Sequence, residues 1–190
     1  MILRRDEWFQ PVVVLAGDTA PEHDGHVTLV RGNLLRAFEG FRGTIVSGGT
    51  TAGVSGLAGD IAAALQGAAR VIGYLPRAHA GDPDVDARYT ALVLTDGADF
   101  GPLEPRLYWA DLRAAGVDPA DVRVLGIGGG AVSQIEYKMA LALGARVAFV
   151  EPLERAAAAV WGECQGHPRL QRLPNEANAL RAYLMSEITC

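Results

Sequence analysis

Two glycine-rich turns carry the residue types in this chain that are best suited to binding an anion. The first follows a short β-branched run at 44–46 and leads into an Ala- and Leu-rich stretch. A strand, a glycine turn and a helix in this order direct free backbone N–H groups and the positive end of a helix dipole at one point. The pattern predicts a phosphate site formed by Ser47, Gly48, Gly49, Thr50, Thr51, Gly53 and Val54. The alternative is an ordinary tight turn without a ligand.

The second turn has the sequence Gly126-Ile127-Gly128-Gly129-Gly130-Ala131 and also joins a strand to a helix. Ser133 and Glu136 then have the spacing of a capping box, which predicts that Ser133 begins the helix. The functional alternative is that Ser133 donates to a phosphate and Glu136 accepts from a ribose hydroxyl. Neither turn contains the Gly-Lys-Ser/Thr of a P-loop, and the dinucleotide fingerprint GxGxxG is only approached.

Apolar runs and helical spacings alternate along the whole chain. Strands are predicted at 12–15, 44–46, 70–74, 91–95, 122–127 and 145–150, with a short seventh at 170–173. Helices are predicted at 24–39, 54–66, 106–115, 133–143, 153–161 and 176–186. This alternation favours one Rossmann-like α/β domain over residues 1–190, with a mostly parallel sheet of six or seven strands and helices on both faces.

The predicted sheet brings the two turns together. Ligands of such sheets bind at the carboxyl ends of the strands, where the strand order reverses. Gly17 and Asp18 end the first strand and are expected to line the floor of this crevice. The polar segment 76–90 contains two prolines and is interpreted as a long connection and a candidate lid. The expected ligand has phosphate and ribose together.

Composition excludes several classes of function. The net charge of −5 argues against a nucleic-acid groove, which normally has a basic excess. Glu22, His23 and His26 are too loosely spaced to predict a metal site, and two cysteines give no disulfide framework. No run approaches 18 apolar residues, so a cytoplasmic protein without a membrane segment is expected. Whether the chain is one domain of a longer protein is left open.

Three segments resemble the SLOG superfamily, which joins the Smf/DprA and LOG proteins. They are SGGTTAGVSGLAGD, VIGYLP and GIGGGAVSQIEYKMALALGARV, and the likeness extends from Val12 to about Leu184. The most similar branch is the SLOG domain of TRPM channels and its prokaryotic, LSDAT-like counterparts. The resemblance implies a sensor of an NAD- or ADP-ribose-related nucleotide in a bacterial antiviral or conflict system. It further implies a homo-oligomer, an effector domain or partner protein, and no required cofactor.

The resemblance also implies roles for the second turn. Gly128, Gly129, Gly130, Ala131 and Ser133 would hold a second phosphate, and Glu136 would lie near a ribose. The LOG signature PGGxGTxxE, aligned by its glutamate, covers residues 128–136 and keeps the glycines at 129 and 130.

The departures from that signature bear on catalysis. Gly128 replaces its proline, Val132 a glycine and Ser133 its threonine, while Arg106 is the nearest candidate for the LOG arginine. The alternative function is therefore a nucleoside-monophosphate phosphoribohydrolase that uses Glu136 and Arg106. A DNA-handling role like that of Smf/DprA is disfavoured by the acidic charge balance.

Overall fold

Seven parallel strands form one sheet in the computed structural model, which describes residues 8–19 and 24–186. They are β1 Val12–Gly17, β2 Thr44–Ser47, β3 Arg70–Pro76, β4 Ala91–Thr95, β5 Val122–Ile127, β6 Arg146–Val150 and β7 Leu170–Leu173. Their spatial order is β4-β3-β2-β1-β5-β6-β7, and all neighbours run parallel. The order reverses at β1, so the connections after β1 and β5 diverge to opposite faces and leave a crevice between them.

Six α-helices cover the two faces of this sheet. They are α1 Asp24–Ala37, α2 Gly53–Leu65, α3 Leu103–Ala114, α4 Ala131–Leu143, α5 Arg155–Cys164 and α6 Ala177–Met185. The predicted α/β fold is confirmed, while several helix boundaries differ from the prediction by two or three residues. Helix α3 begins three residues before Arg106, because Pro105 is tolerated in a first turn that needs no N–H donor. Helix α4 begins before Ser133, and α5 begins and ends later than predicted.

The core consists of two apolar layers separated by the sheet. Along β1, Val12 and Val14 pack into the layer beneath α3, α4 and α5, whereas Val13 and Leu15 pack into the layer beneath α1, α2 and α6. All four side chains are buried, which explains the unbroken apolar run of this strand.

No helix within residues 8–19 and 24–186 has the length and apolar character needed to cross a membrane.

Candidate functional site

A cavity of about 310 Å³ opens at the carboxyl ends of β1 and β2, and Tyr74 of β3 also lines it. The starts of α2, α3, α4 and α5 form the rest of its wall. The predicted residues in the wall are Gly17, Asp18, Ser47, Gly48, Thr50, Val54, Gly130, Ala131, Ser133 and Glu136. The structure therefore brings both turns and the end of β1 to one site, as the strand order requires.

Five further predicted residues, Gly49, Thr51, Gly53, Gly128 and Gly129, do not appear in this wall. Gly53 has φ +49°, and a Cβ there would lie 2.1 Å from the Asp18 carbonyl oxygen. A Cβ on Gly128, with φ +61°, would lie 2.4 Å from Oδ2 of Asp18. These two glycines let the backbone approach Asp18 closely, a packing role that requires no ligand.

Asp18 connects the two turns. Its side chain is only 4% exposed, and its Oδ2 accepts a hydrogen bond from the N–H of Gly129 at 2.7 Å. Its carbonyl oxygen accepts from the N–H of Val54 at 2.8 Å. Oδ1 pairs with the guanidinium of Arg155. A buried carboxylate needs such partners, and those of the Asp18 carboxylate come from the second turn and from α5, while α2 binds its backbone carbonyl.

Several N–H groups of the first glycine turn and the start of α2 already donate hydrogen bonds to other parts of the protein. The N–H of Thr50 donates to Oγ of Ser55 at 2.9 Å, and that of Thr51 donates to the carbonyl of Asp84 at 2.8 Å. The N–H of Val54 is occupied by Asp18. Three of the donors expected to hold a phosphate therefore already have protein acceptors.

The start of α4 after the second turn lacks a side-chain cap, as does the start of α2. Gly130 is the N-cap residue and no side chain caps the helix, so the predicted capping box of Ser133 and Glu136 is wrong. Ser133 lies in the first helical turn, where its Oγ donates to the carbonyl of Gly17 at 3.2 Å. The N–H groups of a first turn have no acceptor within their helix. Because Ala131 and Val132 line the cavity, this helix start offers donors to a ligand.

Glu136 lies one helical turn further along α4 and also lines the cavity. Its Oε1 accepts a hydrogen bond from the hydroxyl of Tyr108 at 2.9 Å. Burial raises the pKa of Glu136 to about 7, although the Tyr108 hydrogen bond opposes this change. At neutral pH, Glu136 is therefore present both as a charged carboxylate, which accepts hydrogen bonds, and as a neutral carboxyl group, which can donate a proton.

Arg155 is the one Arg or Lys side chain in the described cavity wall, and sequence reasoning missed it. It is the first residue of α5, which follows β6, it pairs with Asp18, and its backbone has φ +48°. The candidate named from sequence, Arg106, is exposed on α3 and does not line the cavity. No sequence motif contains Arg155. The one feature of the sequence that could have indicated it is its position shortly after the carboxyl end of a parallel strand.

The α3 side of the cavity was also missed. Phe100, Glu104 and Tyr108 line it together with Tyr74 from β3. Glu104 is 6% exposed, and its carboxylate accepts hydrogen bonds from the hydroxyl of Thr95 and, at 2.8 Å, from the N–H of Gly101. This wall is aromatic and acidic, in contrast to the Arg155 end.

The predicted lid, 76–90, packs against the outside of the first turn. Thr50 and Val85 form an isolated antiparallel bridge, and the N–H of Asp86 donates to the carbonyl of Gly49 at 2.9 Å. Residues 77–90 contribute nothing to the described cavity wall. The segment that reaches the cavity mouth is instead 96–102, through Phe100 and Gly101.

The sequence also contains a loosely spaced group of possible metal ligands, Glu22, His23 and His26. Glu22 and His23 lie outside the described residues. Among the residues that the structure describes, no group of three or more His, Cys, Asp or Glu side chains could hold a metal ion.

The fold and cavity define an α/β protein with a cavity at the switch point of a parallel sheet, the usual position of a ligand site in such folds. The family described as "SLOG in TRPM, prokaryote" matches residues 10–184, and the chain belongs to that family. No protein of curated function matches it significantly in sequence.

Solved structures show the same fold at low sequence identity. The molybdenum cofactor carrier protein of Chlamydomonas reinhardtii has 16% identity and a TM-score of 0.60, over 90% of this chain and 94% of that one. The molybdenum cofactor binding protein of Rippkaea orientalis has 16% identity and a TM-score of 0.55, over 86% and 88%. DNA processing protein A of Streptococcus pneumoniae has 18% identity and a TM-score of 0.58, over 93% of this chain and 62% of that one.

Proposed function

We propose that this domain is a sensor that binds a nucleotide related to NAD or ADP-ribose in the cavity between β1, α3 and α4. The observation that carries the proposal is the convergence of Arg155 and the uncapped start of α4 on one cavity. A guanidinium and unpaired helical N–H groups together match the charge and the acceptor oxygens of a phosphate. The volume of about 310 Å³ lies at the lower end of the usual range for small-molecule sites.

The charge distribution of the cavity wall predicts how the ligand is oriented in it. Arg155 lies at the α5 end, whereas Glu104 and Glu136 lie on the α3 and α4 walls. We place the phosphate oxygens near Arg155, although Asp18 already pairs with Nη1 of this guanidinium. The start of α4 adds N–H donors there, whereas the described wall has no second cation to offset the repulsion from Glu104 and Glu136. Groups that donate hydrogen bonds, such as ribose hydroxyls or the N–H groups of a base, belong near the two glutamates. A nucleotide has both kinds of group, separated along one molecule.

The solved relatives support a ligand-carrying role for this fold. Two of them are described as a carrier and a binding protein for the molybdenum cofactor. We expect the domain to bind the nucleotide without any further cofactor. We also expect nucleotide binding to change the oligomeric state of the chain, and an effector domain or partner protein to respond to that change, as in bacterial antiviral systems.

A second candidate is hydrolysis of the N-glycosidic bond of a nucleoside monophosphate. The pKa of about 7 at Glu136 favours it, since a neutral carboxyl can donate a proton and a charged one can stabilise positive charge on a ribose. Arg155 would replace Arg106 as the arginine of this mechanism. Free base released from AMP, and abolished in Glu136→Gln, would support hydrolysis. Bound nucleotide recovered intact after long incubation would exclude it.

Calorimetry tests the binding proposal directly. ADP-ribose, cyclic ADP-ribose isomers, NAD and AMP are titrated into folded protein, and light scattering is measured with and without each ligand. We expect saturable heat with at least one of these nucleotides and a change in molar mass on binding. Absence of heat with all of them would overturn the assigned cavity, while binding at constant molar mass would overturn only the oligomer readout.

A further inference from the structure

An exposed aromatic side chain stands at the mouth of the cavity. Phe100 is 39% exposed and lines the cavity wall, in the connection between β4 and α3. Its Cε1 lies 3.7 Å from the position that a Cβ on Gly48 would occupy. The ring thus reaches from the α3 side towards the first glycine turn on the opposite wall. A single exposed phenylalanine is ordinary on a protein surface, so its place at the mouth is the informative observation.

The Phe100 ring is supported from behind. His79 stacks on it with 5.6 Å between the ring centroids and 27° between the planes. The imidazole is held in turn by Asp82 at 2.6 Å and Asp99 at 3.2 Å. The hydrogen bond that His79 donates to Asp82 raises the pKa of the imidazole and so favours the charged ring, which pairs with both carboxylates. One face of Phe100 is therefore covered by a fixed partner.

The connection that carries Phe100 is anchored from below. The N–H of Phe100 donates to Oδ1 of Asp99 at 2.7 Å, and the N–H of Gly101 donates to Oε2 of buried Glu104 at 2.8 Å. Thr95, at the end of β4, donates to the other oxygen of Glu104. These bonds fix the backbone on both sides of the ring. An aromatic ring fixed in this way loses little conformational entropy when it binds a ligand.

We propose that Phe100 is the stacking platform for the planar heterocyclic ring of the ligand, with His79 as its positioning residue. This inference rests on the proposed nucleotide function and adds the location of the base. The base lies between Phe100 and the wall formed by Tyr74 and Tyr108, whose hydroxyls already donate to Asp111 at 2.7 Å and Glu136 at 2.9 Å. The phosphate then lies at the opposite end, beside Arg155.

The test compares two ligands that differ only by the base, AMP and ribose 5-phosphate, by calorimetry. Since base–aromatic stacking is sequence-tolerant and sizeable, Phe100→Ala is expected to weaken AMP binding about 5- to 100-fold and ribose 5-phosphate binding less than about twofold. Phe100→Tyr retains AMP binding. Phe9→Ala is the matched control, because Phe9 is a similarly exposed phenylalanine outside the cavity wall.

His79 is tested by loss and rescue. His79→Ala should weaken AMP binding and spare ribose 5-phosphate, and His79→Phe should restore AMP binding because it returns an aromatic backing without charge. Equal AMP affinity in wild-type and Phe100→Ala protein would overturn the stacking role while the proposed function stands. Failure of the wild type to bind AMP would also overturn it. Failure to bind ADP-ribose, the cyclic ADP-ribose isomers and NAD as well would overturn the proposed function itself.

Discussion

The hydroxyl of Ser55 accepts a hydrogen bond from the backbone N–H of Thr50 at 2.9 Å and also contacts the hydroxyl of Tyr89 at 3.0 Å. Ser55 lies in the first turn of α2, where a phosphate would otherwise meet the N–H of Thr50. The first glycine turn is thus closed by a side chain of its own helix. We expect the phosphate of the proposed ligand at the start of α4, because Ala131 and Val132 line the cavity there together with Arg155.

Replacing Ser55 by alanine tests whether this bond stabilises the turn. Thr50 and Ser55 are buried, so the change leaves a buried N–H without its acceptor, and the free energy of unfolding should fall by about 1–3 kcal/mol. Urea denaturation measures the loss. Thr28→Ala on the exposed face of α1 is the control and should change stability little. An equal stability of both variants would contradict the assignment.

Two glycine-to-alanine changes should have opposite signs. Gly53 has φ +49° and no room for a Cβ, so Gly53→Ala should lower the free energy of unfolding by at least about 2 kcal/mol. Gly32 lies inside α1 with nothing within 4 Å of an added Cβ, so Gly32→Ala should raise it by about 0.5–1 kcal/mol. Thermal and urea unfolding of both variants check the signs. A neutral Gly53→Ala would mean that the turn can shift away from Asp18.

Arg155 and Arg106 form a matched pair for the ligand site. Arg155→Met removes the cation of the described wall and also the guanidinium partner of the buried Asp18. In variant protein that is shown to be folded, it should weaken binding of a phosphate-bearing nucleotide about 10- to 100-fold. Arg106→Met removes an exposed arginine from α3 and should leave the affinity nearly unchanged. Calorimetry on both variants decides between the two arginines. A larger loss in Arg106→Met would restore the candidate that the sequence first suggested.

Glu136 should make stability depend on pH. Burial raises its pKa from the ordinary 4.5 to about 7, so between these values the folded protein holds a proton that the unfolded chain has lost. Stability relative to Glu136→Gln, which cannot titrate here, should therefore fall as the pH rises from about 4.5 to 7 and level off above it. The fall should be on the order of 2–3 kcal/mol, measured by urea unfolding at several pH values. A rise over the same window would contradict a raised pKa.

The positions of the strands and helices could be predicted because they depend on local patterns. The apolar run in β1 reflects burial on both faces, and Gly144 ends α4 with φ +93° as its position predicted. The helix starts were less predictable. Pro105 and the Ser133–Glu136 pair both indicated later starts, since sequence does not show which groups cap a helix. Helix α4 begins after Gly130, the N-cap residue, and no side chain caps this helix.

The sequence by itself determined the alternation of strands and helices, the parallel sheet and the meeting of two glycine turns at one crevice, because periodicity and chain order imply them. Only the tertiary structure decided which donors in that crevice remain free. That outcome depends on contacts between distant residues, such as Gly129 and Arg155 with Asp18 and Asp84 with Thr51. A buried N–H takes whatever acceptor the packing brings within 3 Å, and no local motif records this. The proposed position of the phosphate is therefore the start of α4 in the second turn, instead of the first turn.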